Sequence, residues 1–265
     1  MAETPRRLVR LAGFGILTAW ALVEYAATVA WRRDETARRL GQSRWLHRLC
    51  ARLARLLALR LEVRGRFDAA PVVVSNHLGY LDIVTLGALA PMRFVAKAEV
   101  RQWPWIGWLA RCAGTLFLQR EDRHAVREAN DRLREAGQLP IPIVIFPEGT
   151  STDGQRVLPF HSSLLAVAAE QSWGVAPVRI GYELPAGDAE QEVCWWGRMT
   201  LVPHLWRLLG HEEILATVRC GRILRHADRK VLAAELHAAV CDLGHTGTSP
   251  RRHRPLFAKP RFVGS

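Results

Sequence analysis

From Leu11 to Trp31 the chain runs 21 residues with a single charge, Glu24. As a helix at about 1.5 Å per residue this run is about 30 Å long, enough to cross a bilayer's hydrocarbon core. Arg6, Arg7 and Arg10 precede it, and Arg32, Arg33, Arg38, Arg39, Arg44 and Arg48 follow. The heavier positive flank places the C-terminal side in the cytoplasm. A cleaved signal peptide fits less well, because the run is too long, Glu24 interrupts it and Thr28-Val29-Ala30 is a poor cleavage site. Behind it, 37–60 reads as a basic amphipathic helix. Arg44, Arg48, Arg52 and Arg55 recur at helical spacing, with Trp45, Leu49, Leu53 and Leu56 one residue later. Such a helix lies in a membrane interface with guanidiniums among phosphates. A helix packed on a globular body has the same pattern, but its place behind the apolar run favours the interface. The two segments either span the membrane or form a hairpin in one leaflet.

Beyond residue 66 the period changes. Short apolar runs at 71–74, 93–96, 115–118, 143–146 and 175–180 predict strands, and 122–137 and 161–172 predict helices between them. Strands are also predicted at 199–202 and 214–225, and a helix at 229–243 behind Asp228. Alternating strands and helices specify an α/β fold: a single domain with a mostly parallel sheet flanked by helices, preceded by N-terminal membrane-associated helices. The division falls between 1–66, the anchor and basic helix, and 67–265, the globular body.

Charge sharpens this picture. The 265 residues carry a net +12, but residues 1–66 hold fourteen Arg against five acids, and 250–265 hold five basic residues and no acid. The body between is slightly acidic, which points to an anionic membrane surface as partner and argues against nucleic acid. Five cysteines without a C-x-x-C pair argue against a zinc ribbon or disulfide scaffold, and no metal is expected.

Four motifs sit at predicted strand ends. In Asn76-His77-Leu-Gly-Tyr-Leu-Asp82 a tight turn can bring imidazole to carboxylate, leaving the other ring nitrogen as a base. The spacing alone is weak: His237 and Asp242 share it, in a late helix with no accompanying motif, and read as structural. Gly114-Thr-Leu-Phe117-Leu-Gln-Arg120 puts an Arg after a strand expected to run beside that of His77, where its fork can grip an anion. Phe146-Pro147-Glu148-Gly149-Thr150 turns sharply after an apolar strand, and the backbone N–H groups at Gly149 are candidate oxyanion donors. Pro177 lies in a short apolar strand, at an edge or start.

In this order the four blocks resemble the glycerolipid acyltransferase family, which includes 1-acylglycerol-3-phosphate acyltransferases. The resemblance covers about 70–180. It implies acyl transfer from an acyl carrier protein or coenzyme A thioester to a lysolipid hydroxyl, with 1-acyl-sn-glycerol-3-phosphate as acceptor and phosphatidic acid as product. It makes His77 the base and Asp82 its orienter. Asn76, Gly114, Phe117, Arg120, Phe146, Pro147, Glu148, Gly149, Thr150 and Pro177 become substrate-binding residues, with no cofactor, at the cytoplasmic side of a bacterial inner membrane. The third block departs from the family: Ser151-Thr152-Asp153 follows Thr150, and Phe160-His161-Ser162-Ser163 stands where F-K-x-G is common. Leu158 to Leu164, Trp195-Trp196-Gly197 and Leu201 to Trp206 look like a bacterial branch that includes lyso-ornithine lipid acyltransferases, the alternative acceptor. The chemistry needs only an activated thioester and a base for the attacking hydroxyl. Gly149-Thr-Ser151-Thr-Asp153 lacks the last glycine of a serine-hydrolase elbow, so an esterase reads poorly. A non-catalytic, basic, membrane-associated lipid-binding protein explains the ends but not the ordered motifs.

Overall fold

The structure is a computed structural model and describes residues 3–66, 70–118 and 123–245. Arg120 and the basic stretch 250–265 lie outside the described residues. Helix α1 (Glu3–Tyr25) closes in a π turn over Ala26–Ala30, and α2 (Glu35–Leu56) starts on Asp34, whose side chain caps Ala37 N–H. Then come β1 (Leu59–Arg64), β2 (Val72–Ser75), α3 (Leu81–Gly87), β3 (Arg93–Lys97), a 3₁₀ turn at Ala98–Gln102, α4 (Ile106–Cys112) and β4 (Leu116–Leu118). The chain continues through α5 (Arg123–Gly137), β5 (Ile143–Ile145), a 3₁₀ turn at Ser162–Leu165, α6 (Ala166–Glu170) and β6 (Val175–Glu183). It ends with α7 (Ala189–Glu192), α8 (Leu201–Leu208), β7 (Ile214–Cys220) and α9 (Arg229–His245).

The strands form one sheet in the order β1-β7-β6-β2-β5-β3-β4. β6, β2, β5, β3 and β4 are parallel, while β7 pairs antiparallel with β6 and parallel with β1. The two-residue period divides the core. Val73 and Val144 join one apolar cluster, shared with α2 and α3; Val72, Val74, Ile143 and Ile145 join the other, shared with α5, α6 and α9. Because side chains alternate, the central strands are buried on both faces and read as unbroken apolar runs.

The structure departs from the sequence expectations in five places. β1 pairs with β7 over six residues, so the sheet begins at 59, although the sequence reading places 59–66 with the anchor. Residues 201–208 are helical rather than a strand at 199–202: Leu201, Leu205 and Leu208 share one helical face, and Pro203 sits in the first turn, where no intrahelical donor is lost. β4 does not run beside β2, since β5 and β3 lie between them. Pro177 is in central strand β6, not at an edge. There the β7 partner slips by one residue between Cys220 and Leu224, a bulge that needs no N–H from residue 177. Finally, α2 is not an interfacial helix. Trp45, Leu46, Leu49 and Cys50 are buried in the core, and Arg48 and Arg52 pair with Glu24 of α1 rather than facing phosphates.

α1 and α2 form an antiparallel hairpin. Trp45 donates its indole N–H to Ala21 C=O at 2.7 Å, and Gly13 lets Leu56 pack against the backbone. The start of α1 is tied to the body: Arg6 donates to Gly210 C=O and buried Arg10 to the carbonyls of Leu209 and His211. Over Glu3–Ala30, the one helical stretch among the described residues long and apolar enough to cross a membrane, little is buried. Val9, Ile16, Trp20 and Val23 expose 57–70% of their surface along one stripe, the mark of a membrane-associated helix.

Candidate active site

The site forms at the carboxyl ends of β2 and β5, where ligands gather in open α/β sheets. After Ser75 the chain leaves the sheet, and Asn76 extends the ladder with its side chain: the amide donates to Ile180 C=O at 3.0 Å and accepts from Ile180 N–H at 2.8 Å. Both ends of this buried amide are therefore engaged in fixing the turn that carries His77.

His77 Nδ1–H donates to Asp82 Oδ2 at 2.8 Å, the tautomer the carboxylate partner selects. Asp82 is fully buried on the first turn of α3. Its Oδ2 also accepts Leu78 N–H at 2.6 Å and Gly79 N–H at 3.1 Å, and its Oδ1 accepts the Tyr182 hydroxyl at 2.8 Å. Thr85 Oγ1 lies 2.9 Å from that hydroxyl. Burial raises Tyr182 well above the ordinary tyrosine range and Asp82 adds to it, so it remains a donor. Gly79 makes the turn possible with φ +145°, and a Cβ there would meet Trp195 N and Cβ at 2.9 Å.

The second wall is a β-turn from Phe146 to Gly149, with Pro147 at its second position and Gly149 (φ +72°) at its fourth. Phe146 stacks on the His77 ring at 4.2 Å. Glu148, 3% exposed, spends its two oxygens on backbone: Oε1 accepts His77 N–H and Oε2 accepts Leu158 N–H, each at 2.7 Å. Burial raises its pKa, against the lowering from those amides and from nearby His77. Gly149 N–H donates to Phe146 C=O within the turn, so it is not the free oxyanion donor the sequence suggests.

The imidazole is thus held on one edge and one face, with its side chain 23% exposed. Nε2 has no hydrogen-bond partner among the described residues, which leaves it able to take a proton from an approaching hydroxyl. The cysteines nearest this layer are poor nucleophiles, since burial pushes the Cys194 and Cys50 thiols up to about 12.

The structure brings together Asn76, His77, Asp82, Phe146, Pro147, Glu148 and Gly149, with Thr150 exposed at the rim. It places three other expected residues elsewhere. Gly114 and Phe117 line a cavity on the far side of β3, and Pro177 pairs with Val74, below the site. Sequence reading misses Tyr182 and Thr85. Tyr182 follows Val178 and Ile180 on the same face of β6, a polar tip in an apolar row, but nothing in the sequence ties it to residue 82.

With this geometry in place, the likenesses become informative. Residues 60–181 match the acyltransferase family. A lyso-ornithine lipid O-acyltransferase of Pseudomonas aeruginosa is 40% identical over 78% of this chain and 78% of its own length. A 1-acyl-sn-glycerol-3-phosphate acyltransferase of Neisseria meningitidis is 29% identical over 56% of this chain and 57% of its own. The crystal structure of the 1-acyl-sn-glycerophosphate acyltransferase of Thermotoga maritima shares the fold, with a TM-score of 0.65 over 94% of this chain and all of that one, at 20% identity. The chain belongs to the acyltransferase family and is an O-acyltransferase.

Proposed function

We propose that the protein transfers a fatty acyl group from an acyl carrier protein or coenzyme A thioester to the hydroxyl of a lysolipid, with lyso-ornithine lipid as acceptor. The observation that carries the chemistry is the His77 ring, with Nδ1 committed to a fully buried Asp82 and Nε2 open. In this reading the acceptor hydroxyl lies against Nε2, which takes its proton as the oxygen attacks the thioester carbonyl. The tetrahedral intermediate collapses, the C–S bond breaks, and His77 returns the proton to the departing thiolate. General-base help of this kind contributes roughly 10²–10⁴-fold. Asp82 holds the tautomer and supports the imidazolium that forms. Asn76 and Glu148 position the His77 backbone, and Phe146 positions its ring. No serine or cysteine of the protein needs to become acylated.

The head group is supported by the relatives: the lyso-ornithine lipid enzyme shares more identity over more of the chain than the glycerol phosphate one. Ser151 and His161, which stand where the family commonly has Arg and Lys, point the same way, since a phosphate head group calls for cations there. Lysophosphatidic acid is the second reading, favoured by the likeness to 1-acyl-sn-glycerol-3-phosphate acyltransferases. The enzyme works at the cytoplasmic face of a bacterial inner membrane, its apolar α1 stripe in one leaflet, because both ends of α1 are tied to the same body. The test offers purified protein and labelled acyl donor, on either carrier, lyso-ornithine lipid and lysophosphatidic acid side by side. A higher kcat/KM on lyso-ornithine lipid is expected. Preference for lysophosphatidic acid would install the second reading, and no transfer to either would reject the lysolipid acceptor.

A further inference from the structure

Far from His77, the sheet edge carries a cavity of about 530 Å³ between α2, β3, β4, α4 and α5. Among the described residues, Arg39, Arg93, Arg101, Arg111 and Arg132 line it, against two carboxylates, Glu35 and Glu135. Arg93 opens β3 and is level with Val72 of β2 through Ile143. At about 4.8 Å between strands and about 3.3 Å per residue, it lies roughly 10 Å across and roughly 15 Å along the sheet from His77. Arg93 thus sits toward the amino end of the sheet, away from His77, while the cavity reaches along β4 as far as Phe117.

Its arginines are held apart from one another by separate elements. Arg39 pairs with Glu35 at 2.6 Å and Arg132 with Glu128 at 2.5 Å, and Arg111 donates to Arg101 C=O at 2.8 Å. Arg93 is different. It is 2% exposed, its Nε–H donates to Gly114 C=O at 3.2 Å, and it makes no ion pair among the described residues. Burial brings its guanidinium down to about 10, with Arg39 lowering it further and Glu135 and Glu35 acting the other way. A buried cation without a paired carboxylate, facing a cavity with four more arginines, is a site short of negative charge.

We propose that this cavity binds a phosphate group, held by the arginine forks of α2, β3, α4, α5 and the turn before α4. Arginine matches phosphate oxygens two at a time, and the cavity holds far more than one such group. Two sources supply that chemistry: free inorganic phosphate, or the head group of an anionic phospholipid reached beside the hairpin. Occupancy would tie the first turn of α2 to α4 and α5. The site is independent of which lysolipid the enzyme acylates.

The test uses full-length protein in neutral detergent and the double variant Arg101→Gln, Arg132→Gln, whose side chains are at the surface and bear on folding little. Thermal unfolding is followed against inorganic phosphate, with chloride matching the ionic strength. A saturable rise in Tm is expected for the wild type, and the double variant should need at least tenfold more phosphate. Vesicles of phosphatidylglycerol in phosphatidylcholine then separate the sources. If a lipid head group is the occupant, vesicle binding is weaker in the variant and phosphate competes with it in the wild type. If free phosphate is the occupant, vesicle binding is unchanged and only the phosphate shift is lost. Acyl transfer to a detergent-dispersed acceptor should be the same in both proteins. A wild-type Tm that responds to phosphate no more than to chloride, or a response equal in the variant, would overturn the proposal.

Discussion

Asp82 takes three donors on one oxygen and one on the other, and His77 is only one of them. Removing the imidazole therefore leaves the carboxylate hydrogen-bonded, so His77→Ala should fold with a Tm close to wild type and lose acyl transfer by at least 10²-fold, about the smallest contribution of a general base. His237→Ala should retain turnover, because its ring serves Val157 C=O and packs on Phe160. Near-normal turnover in His77→Ala would remove His77 from the chemistry. Glu148 allows a second test. Its pKa is raised chiefly by burial, so the folded state holds its proton more tightly than the unfolded one. Its contribution is then fully present below the ordinary glutamate pKa of about 4.3 and is lost as pH rises through the raised value. Glu148→Gln is neutral throughout and, like the protonated acid, leaves one of the His77 and Leu158 N–H groups without a good acceptor. Denaturation of both proteins from acid to neutral pH should show the wild type losing stability relative to Glu148→Gln as pH rises; a relative gain would reverse the sign. At this scale the sequence was legible where partners are five residues apart, as His77 and Asp82 are. It was silent where a fold must bring them together, as with Tyr182 and Asp82, 100 residues apart.

Elements were readable where one period was unambiguous. The apolar runs of β2 and β5 and the long helix α9 follow from run length and flanking residues. α8 was not readable, because an eight-residue helix that begins Leu-Val-Pro shows a strand-like window before its helical spacing appears. α2 shows the limit of amphipathic patterns: the same stripe suits a membrane or a protein core, and only Glu24 on the preceding helix decides between them. That carboxylate sits between Arg48 and Arg52 with 13% of its side chain exposed, whereas Glu35, paired with Arg38 and Arg39, is 44% exposed. Exposed pairs contribute about 0–1 kcal/mol, and stranding buried charges costs more. Glu24→Ala should therefore destabilise the protein clearly more than Glu35→Ala in chemical denaturation in detergent. Equal effects would mean that the Glu24 cluster is as well solvated as the surface pair.

At the scale of the whole molecule, sheet order decides what the motifs can share. Phe117 and Gly114 sit in a family block, yet β5 and β3 separate their strand from β2, and a reading along the chain cannot count those intervening strands. The same scale sets the relation to the membrane. The start of α1 is held by Arg6 and Arg10 on carbonyls of residues 209–211, and its end by Glu24 on α2, which packs on α3. A helix of 23 residues is about 34 Å long, enough to span a bilayer, but a spanning helix would carry its first turn to the far side, away from residues 209–211. In the proposed arrangement the body and the first turn of α1 therefore share a compartment, with the exposed stripe of Val9, Ile16, Trp20 and Val23 in one leaflet. An epitope tag ahead of residue 1 should be cut by added protease in inverted inner-membrane vesicles and be protected in spheroplasts, in parallel with a tag after residue 265. The protein should stay on the vesicles in high salt, because apolar burial is not screened. Cleavage of the N-terminal tag in spheroplasts with the C-terminal tag protected would show that α1 crosses the bilayer and that its contacts with residues 209–211 do not exist in the membrane.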